Sequence, residues 1–400
     1  MDVDPTTQDT EAEEPPPPMK TRTVRLVATP DASTTLRRWF GSARWTYNAC
    51  VRALKDRQAC ASLRDLRAYA VNDDSPAVTA HPWLKETPYD VRDDAVRDLI
   101  KAYKALRKQG KAFDLKFRSR KDASQSITIH HKHWKHKRGA YTELFAGVHA
   151  TEALPDVPPP DGRLTRNRLG QYHLKWPVPL DVRGENQAPD AAKHATIALD
   201  PGVRTFMTGY DADGRIVEWG RNDVARLGRL CHAYDSLQAR WAKEKHARRH
   251  RMQRVGRRIQ LKIKHLVADL HRRLAKWLCT HYRVVLIPVF ETQQMVQRST
   301  RRIRSKTARA MLTWSHYAFR QFLLHKSREY PWCKIVVVTE EYTSKTCGGC
   351  GALHAKLGGS KVFKCPACGF TVDRDANGAR NILLKFLTER AVGLPCSAVA

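Results

Sequence analysis

The apolar positions of this chain change period several times, and each change marks an element. Residues 21–29, Thr-Arg-Thr-Val-Arg-Leu-Val-Ala-Thr, alternate in polarity and predict a short strand. Leu36, Trp39, Phe40, Ala43, Tyr47, Cys50 and Leu54 then recur at threes and fours, so a helix follows. Helical patterning continues to about Leu106, with Val91 to Leu106 a clear run. From Phe113 the period falls to two. Phe113-Asp-Leu-Lys-Phe-Arg and Ser126-Ile-Thr-Ile-His read as strands, Pro155 to Pro160 and Gly162 as a loop, and Tyr172-His-Leu-Lys-Trp176 as a last strand. A helical insert between strands of one small sheet accounts for this order.

After residue 190 a different unit begins. Thr196 to Asp200, Arg204 to Tyr210 and Arg215 to Trp219 form a three-stranded meander, turned at Pro201-Gly202 and at Asp211-Ala-Asp-Gly214. Leu227, Leu230, Tyr234, Leu237 and Trp241, then Ile259, Ile263, Leu266, Leu270 and Leu274, predict two antiparallel helices joined near the basic run 243–258. Arg283 to Phe290 is an apolar strand of the buried type. One helix through Leu312, Trp314, Phe319, Phe322 and Leu323 leads to a last strand, Lys334 to Thr339. The order β-β-β-α-β-α-β, with a closing helix, is the ribonuclease-H topology. Strand one is then central, with the strand after the helical hairpin parallel beside it.

Charge narrows the partners. The 400 residues carry a formal net charge of +31, and a surplus of that size points to a polyanion, nucleic acid being the common one. Residues 221–283 hold eighteen Lys or Arg against four acids, around a clear apolar seam. Those bases serve as a solvated helix face and a nucleic-acid-facing one at once. Residues 1–18 hold six acids and no base and end in Pro15 to Pro18, a disordered acidic leader rather than a signal peptide. No stretch approaches the roughly 20 apolar residues of a membrane span. Cys50, Cys60, Cys231, Cys279, Cys333 and Cys396 are scattered without framework spacing, which fits a reduced, intracellular protein.

The other four cysteines carry chemistry. Cys347-Gly-Gly-Cys350, fourteen residues, then Cys365-Pro-Ala-Cys368 deliver two pairs of thiolates from tight turns, the donor set of one structural Zn²⁺. His354, inside this ribbon, reads as a surface residue, and His130, His131, His133 and His136 lack the spacing of a metal site. A second metal site is expected from carboxylates. Asp200 ends the first strand, Glu291 ends the fourth, and Asp375 starts the closing helix, with Asp373 competing for that last role. Asp375 is preferred because it directly precedes Ala-Asn-Gly-Ala at the helix cap. Alone, Asp200 would be an ordinary turn aspartate and Glu291 a helix-start carboxylate. Gathered at the carboxyl ends of neighbouring parallel strands, the three would hold divalent cations, Mg²⁺ by preference, and two such ions suit phosphodiester displacement.

Ala198-Leu-Asp200-Pro-Gly-Val-Arg204, Leu286-Ile-Pro-Val-Phe-Glu291-Thr, and Thr343-Ser-Lys-Thr-Cys347 through Asp373-Arg-Asp375-Ala-Asn-Gly resemble the transposon-encoded TnpB nucleases, and more narrowly their Fanzor relatives through the Pro-Val-Phe-Glu form. The resemblance covers most of 190–385 and is looser over 35–125, at Tyr47-Asn48, Trp83-Leu84 and Phe113 to Arg120. It implies a multidomain α+β and α/β chain. An N-terminal β-barrel-like wedge (19–30 and 112–190) would hold a helical recognition insert (31–111). A ribonuclease-H-like (RuvC) domain (191–342 and 372–388) would follow, with an inserted zinc ribbon (343–371) and a tail (389–400).

The implied function is an RNA-guided, Mg²⁺-dependent DNA endonuclease with one active site, its triad carried onto Asp200, Glu291 and Asp375. Its partners are an omega-type guide RNA and double-stranded target DNA with a flanking motif, with no membrane role; the oligomeric state stays open, a monomer being favoured. It would be nuclear if eukaryotic or viral, otherwise cytoplasmic or nucleoid. Lys116, Arg118, Arg120, Lys121, Arg204, Arg248, Arg249, Arg251 and Arg254 are the expected nucleic-acid contacts. The rivals are an unguided RuvC-type nuclease or transposon-end processing protein, and a non-cleaving zinc-ribbon binder.

Overall fold

A computed structural model of the protein describes residues 18–110, 115–135, 139–140, 147–154, 161–183, 196–301, 303–355, 357–358 and 360–391. The acidic leader through residue 17, Phe113 and Asp114, His136, the Pro155–Pro160 loop, and the tail beyond Ala391 with Cys396 lie outside them. The chain divides into two compact units, Met1–Leu180 and Asp181–Ala400.

The first unit opens with β1 (Met19–Ala28) and α1 (Pro30–Lys55). Pro30 takes the first helical position and the Thr29 hydroxyl accepts from Ala32 N, so strand passes to helix without a loop. Helices α2 (Leu63–Ala70), α3 (Pro76–Ala80) and α4 (Tyr89–Lys108) follow. Then come β2 (Ser124–Ile129), the two-residue pair β3 (Trp134–Lys135) and β4 (Gly139–Ala140), β5 (Val148–Ala150), β6 (Gly162–Asn167) and β7 (Tyr172–Pro179). The sheet order is β2-β6-β7-β1-β5, antiparallel throughout. Among the described residues β2 and β5 are unpaired edges, so the sheet is open rather than the expected barrel. Its core joins Val24, Leu36, Phe40 and Val51 to Val96, Leu99, Leu164 and Trp176.

Two expectations fail here. Leu115–Arg118 is not a strand. The Asn48 amide takes the place of a strand partner, donating to Arg118 O (2.9 Å) and accepting from Arg118 N (2.7 Å). Gly162 opens β6 rather than a loop; its only fully apolar inward residue, Leu164, is too weak an alternation to register.

The second unit runs β8 (Thr196–Pro201), β9 (Met207–Asp211), β10 (Ile216–Trp219), α5 (Asp223–Ala242), α6 (His246–His281), β11 (Val284–Pro288) and a short α7 (Thr292–Val296). It continues with α8 (Ser305–Trp314), α9 (His316–Ser327), β12 (Lys334–Val338), β13 (Val362–Lys364), β14 (Thr371–Asp373) and α10 (Arg374–Ala391). The sheet order is β10-β9-β8-β11-β12. Strand β8 is central and antiparallel to β9, while β11 runs parallel to both β8 and β12. The parallel strands β8, β11 and β12 therefore end on one side. Alternate residues face opposite layers. Ala198 and Leu286 pack under Ile382, Leu383 and Phe386 of α10, whereas Ile197, Leu199, Val285 and Ile287 pack with α6 and α9.

The helical hairpin breaks at Lys243–Lys245, so most of the basic run lies on α6 itself. A methyl group on Gly256 would stand 2.5 Å from the Trp241 ring, which is why that helix keeps a glycine there. The single helix expected around Leu312 to Leu323 is two. Ser315 takes a left-handed conformation (φ 54°), at a cost of about 1 kcal/mol. The break is held from both sides: Trp314 Nε1 donates to Val203 O (3.0 Å), and His271 Nε2 donates to Trp314 O (3.0 Å). No described helix is long and apolar enough to cross a membrane.

Candidate active site and cysteine cluster

Asp200 is the second-last residue of β8. Helix α10 crosses it so closely that a Cβ on Gly378 would stand 2.6 Å from Asp200 Oδ2, so glycine is what lets the carboxylate and helix meet. Asp375 lies three residues before Gly378, on the same helical face. Its Oδ2 would be 3.6 Å from a Cβ on Gly202, in the turn that follows Asp200. Asp200 and Asp375 thus converge from strand and helix.

The helix cap is Asp373, not Asp375 as expected. Asp373 Oδ1 accepts from Asp375 N (2.9 Å) and Ala376 N (3.4 Å), and its other oxygen pairs with Lys361 (3.4 Å). With the cap supplied by its neighbour, the Asp375 carboxyl is turned to Asp200.

A third carboxyl arrives from an unexpected strand. Glu340 follows β12 by two residues and is half-buried. Asp200 is held well above the usual carboxylate range, first by burial, then by the charges of Asp375 and Glu340, with Arg374 opposing and Asp373 adding. Burial also raises Asp375, reinforced by Asp373 and opposed by Arg374, Arg204 and Lys361. Burial alone raises Glu340. Glu291, by contrast, is exposed three residues past β11, where it precedes α7, and it is not among the main charges acting on Asp200.

The four cysteines do come together. All four Sγ atoms lie within 4.8 Å of one another, with Cys347–Cys368 and Cys350–Cys365 each 3.7 Å apart. A tetrahedron with Zn–S bonds of about 2.3 Å has edges of about 3.8 Å, so the cluster has the span of a zinc-thiolate site. Without metal the thiols share protons unequally. The Cys368 and Ala367 N–H groups help draw Cys365 down to about 6. Cys368 is held down by the Phe370 N–H but pushed up to about 12 by bonds from Cys350, Cys365 and Cys347. Among the described residues this is the only group of three or more such side chains positioned for a metal.

Helix α10 ties the cluster to the carboxylates. Asn377 accepts from Gly348 N (3.0 Å) and donates to Thr346 O (2.8 Å). Asn381 donates to Thr343 O (2.8 Å) and Thr346 O (2.6 Å). One helix therefore fixes the first cysteine knuckle through residues 377 and 381 and approaches Asp200 through residues 375 and 378.

Comparison with known proteins matches this region first. Residues 316–382 match the model described as Cas12f1-like, TNB domain. Residues 19–61 match the helix-turn-helix domain of the IS605 OrfB proteins, and form β1 and α1 here. A protein of Paramecium bursaria Chlorella virus 1 named as a transposase is 29% identical over 393 residues, spanning 93% of this chain and 88% of that one. InsQ of Escherichia coli, named as an RNA-guided DNA endonuclease, is 24% identical over 76% of each chain. The chain belongs to the TnpB/IS605 OrfB family.

Among solved structures, a Cas12f1–sgRNA–target DNA complex aligns over 91% of this chain and 98% of that chain at 16% identity, with a TM-score of 0.33. In this TnpB-family chain the expected nucleic-acid contacts divide by environment. Lys116, Arg120 and Lys121 are exposed, as are Arg204, Arg248, Arg249, Arg251 and Arg254. Arg248 pairs with Glu244 at 3.4 Å. Arg118 is engaged within its own unit: it lies 3.9 Å from the Tyr47 ring centroid and pairs with Asp98 at 3.0 Å. The histidines of 130–133 are likewise engaged, His130 between Asp94 (2.9 Å) and Asp161 (3.0 Å), His131 on Asp161 (3.1 Å), and His133 on Asp90 (2.5 Å). These pairs tie α4 to the sheet side of the unit. Glu340, whose charge acts on Asp200, is a carboxyl that sequence reasoning did not single out. Its signal, a carboxylate two places after the strand beside β11, is positional only.

Proposed function

We propose that this TnpB-family protein is an RNA-guided DNA endonuclease whose single RuvC-like site is built on Asp200, Asp375 and Glu340. The observation that carries the reading is the convergence of the Asp200 and Asp375 carboxyls at the C-terminal edge of a parallel strand set, across Gly378 and Gly202, with Glu340 past the neighbouring strand β12 acting on Asp200 through its charge. Such a cluster is electrostatically incomplete without cations, and its all-oxygen donors fit Mg²⁺. Asp200, Asp375 and Glu340 would hold such a cation, which would supply charge stabilisation for phosphodiester hydrolysis. The chain's own part is positional. Strand β8 fixes Asp200, α10 sets Asp375 against it across Gly378, and β12 brings Glu340 from the other flank. The cysteine cluster, closed by four thiolates, suits a structural zinc that holds the segment leading into α10.

The guide is supported by the named activity of relatives such as InsQ and by the +31 charge. Pairing to a guide would open the duplex, and one site would then cut both strands in turn. The test is cleavage of target DNA in Mg²⁺ by the protein purified with its RNA. Asp200→Ala, Asp375→Ala and Glu340→Ala are each expected to abolish cutting while RNA binding persists, and Glu291→Ala to retain most of it. Loss of cutting in Glu291→Ala with full activity in Glu340→Ala would return the third position to Glu291.

A further inference from the structure

Strand β9 brings a hydroxyl to the carboxylates. In the antiparallel pairing of β8 with β9, Asp200 stands directly opposite Thr208, and Ala198 opposite Tyr210. Residues paired in this way point to the same face of the sheet, with Cβ atoms about 5 Å apart. That face lies under α10: Ala198 packs there with Ile382, Leu383 and Phe386, and Tyr210 packs against the same cluster. Thr208 is therefore beneath α10 and beside Asp200, within a side chain's reach of its carboxylate.

The Thr208 side chain is 1% exposed, and its hydroxyl oxygen has no hydrogen-bond partner among the described residues. A buried hydroxyl in that condition is destabilising, because it has given up water and gained nothing in return. Valine has nearly the same shape without the polar atom and suits a strand as well as threonine does. Packing and strand propensity therefore account for the branched side chain at 208 but not for its oxygen. The neighbours on this face at 198, 382, 383 and 386 are apolar. What gives the oxygen a use is the carboxylate paired with it across the ladder. A carboxylate oxygen accepts hydrogen bonds, and a hydroxyl can donate one.

We infer that Thr208 is a positioning residue for the carboxylate site: its hydroxyl donates to one oxygen of the ionised Asp200 carboxylate and leaves the other turned to a divalent cation. The inference rests on the nuclease reading of Asp200 and deepens it. Carboxyls reach the site from β8, from α10 and from the end of β12, and β9 adds the neutral donor that fixes the orientation of one of them. Hydrogen bonds of this kind behind a ligating carboxylate are worth about 10- to 100-fold in metal affinity.

The test uses Mn²⁺ as the probe, titrated by calorimetry into the full-length protein freed of RNA. Thr208→Val and Thr208→Ala are each expected to weaken Mn²⁺ binding by about tenfold, while Thr208→Ser, which keeps the hydroxyl, stays within about threefold of wild type. Without added cation, Thr208→Val is expected to melt at or above the wild-type temperature, since it removes a buried oxygen that has no partner. A lower melting temperature in Thr208→Val would make the hydroxyl structural and overturn the inference. Unchanged Mn²⁺ affinity in Thr208→Val would overturn it too, as would a loss in Thr208→Ser equal to that in Thr208→Val. Asp200→Ala separates this inference from the reading beneath it. If Asp200→Ala binds Mn²⁺ as wild type does, the carboxylate reading itself fails. If Asp200→Ala loses Mn²⁺ and Thr208→Val keeps it, only the role of Thr208 fails.

Discussion

Asp200 and Asp375 show what single residues reveal before folding. Asp200 was readable because an apolar strand ends in Asp-Pro-Gly, and Asp375 because a helix of apolar period begins beside it. Glu340 was not, since Thr339-Glu340-Glu341-Tyr342 has the composition of any polar loop. What sets it apart is burial, which raises its carboxyl above the usual range. Glu291 attracted attention because it follows the next strand in line, yet two intervening residues, Val289 and Phe290, carry it into solvent. The helix cap misled for a similar reason: both Asp373 and Asp375 are capping residue types, and the hydrogen bonds choose Asp373. The contact between Gly378 and Asp200 gives a test that alters no charge. Gly378→Ala would force a methyl to within 2.6 Å of Asp200 Oδ2 and must displace it. A misplacement of about 1 Å costs on the order of 100-fold in rate. Cleavage by Gly378→Ala should fall by about that factor while melting and RNA binding change little; wild-type cleavage would mean that Asp200 is not at the reacting centre.

Among elements, strands and helices with strong periods were legible and their breaks were not. β1, α1, β8, α5 and β12 lie where their patterns place them. The split at Ser315 was hidden because apolar residues continue on both sides of it, Met311 and Trp314 before and Phe319 and Leu323 after, and only the backbone at Ser315 and the Trp314 and His271 hydrogen bonds show that two helices meet. That junction has a measurable acid sensitivity. His316 and His271 are held down to about 3 and 4, chiefly by burial, from an ordinary 6.5. Both are therefore neutral when folded, whereas the unfolded chain takes up protons below about pH 6.5, so stability falls as pH drops through that value and keeps falling toward 4. Shifts of more than two units each are worth on the order of 3 kcal/mol apiece. Chemical denaturation at pH 7 and pH 5 should show the loss, and His316→Phe should flatten it; a profile unchanged by that substitution would remove His316 as a cause.

The ribbon and α10 form the other tested pair of elements. Cys347→Ser should cost about one zinc per chain by metal analysis, and Asn381→Ala should leave the Thr343 and Thr346 carbonyls short of a donor at about 1–3 kcal/mol. If Asn381→Ala melts like wild type and keeps full zinc occupancy, α10 does not hold the knuckle in the way its hydrogen bonds indicate.

For the whole molecule, charge and element order carried the reading further than any one motif. A +31 chain with eighteen bases over residues 221–283 should purify with a discrete structured RNA, and its binding should weaken steeply with salt as phosphate contacts exchange for ions. What charge cannot specify is the use made of that RNA, because a solvated basic helix and a guide-holding one have the same composition. The measurement that decides it is an exchange of the RNA's pairing segment for an unrelated sequence, followed by mapping of the cut DNA. If the protein is RNA-guided, cleavage leaves the old site and appears at the new matching one, and Asp200→Ala abolishes it there too. Cleavage that ignores the exchange, or proceeds equally well without RNA, would contradict the account and leave an unguided RuvC-type nuclease in its place.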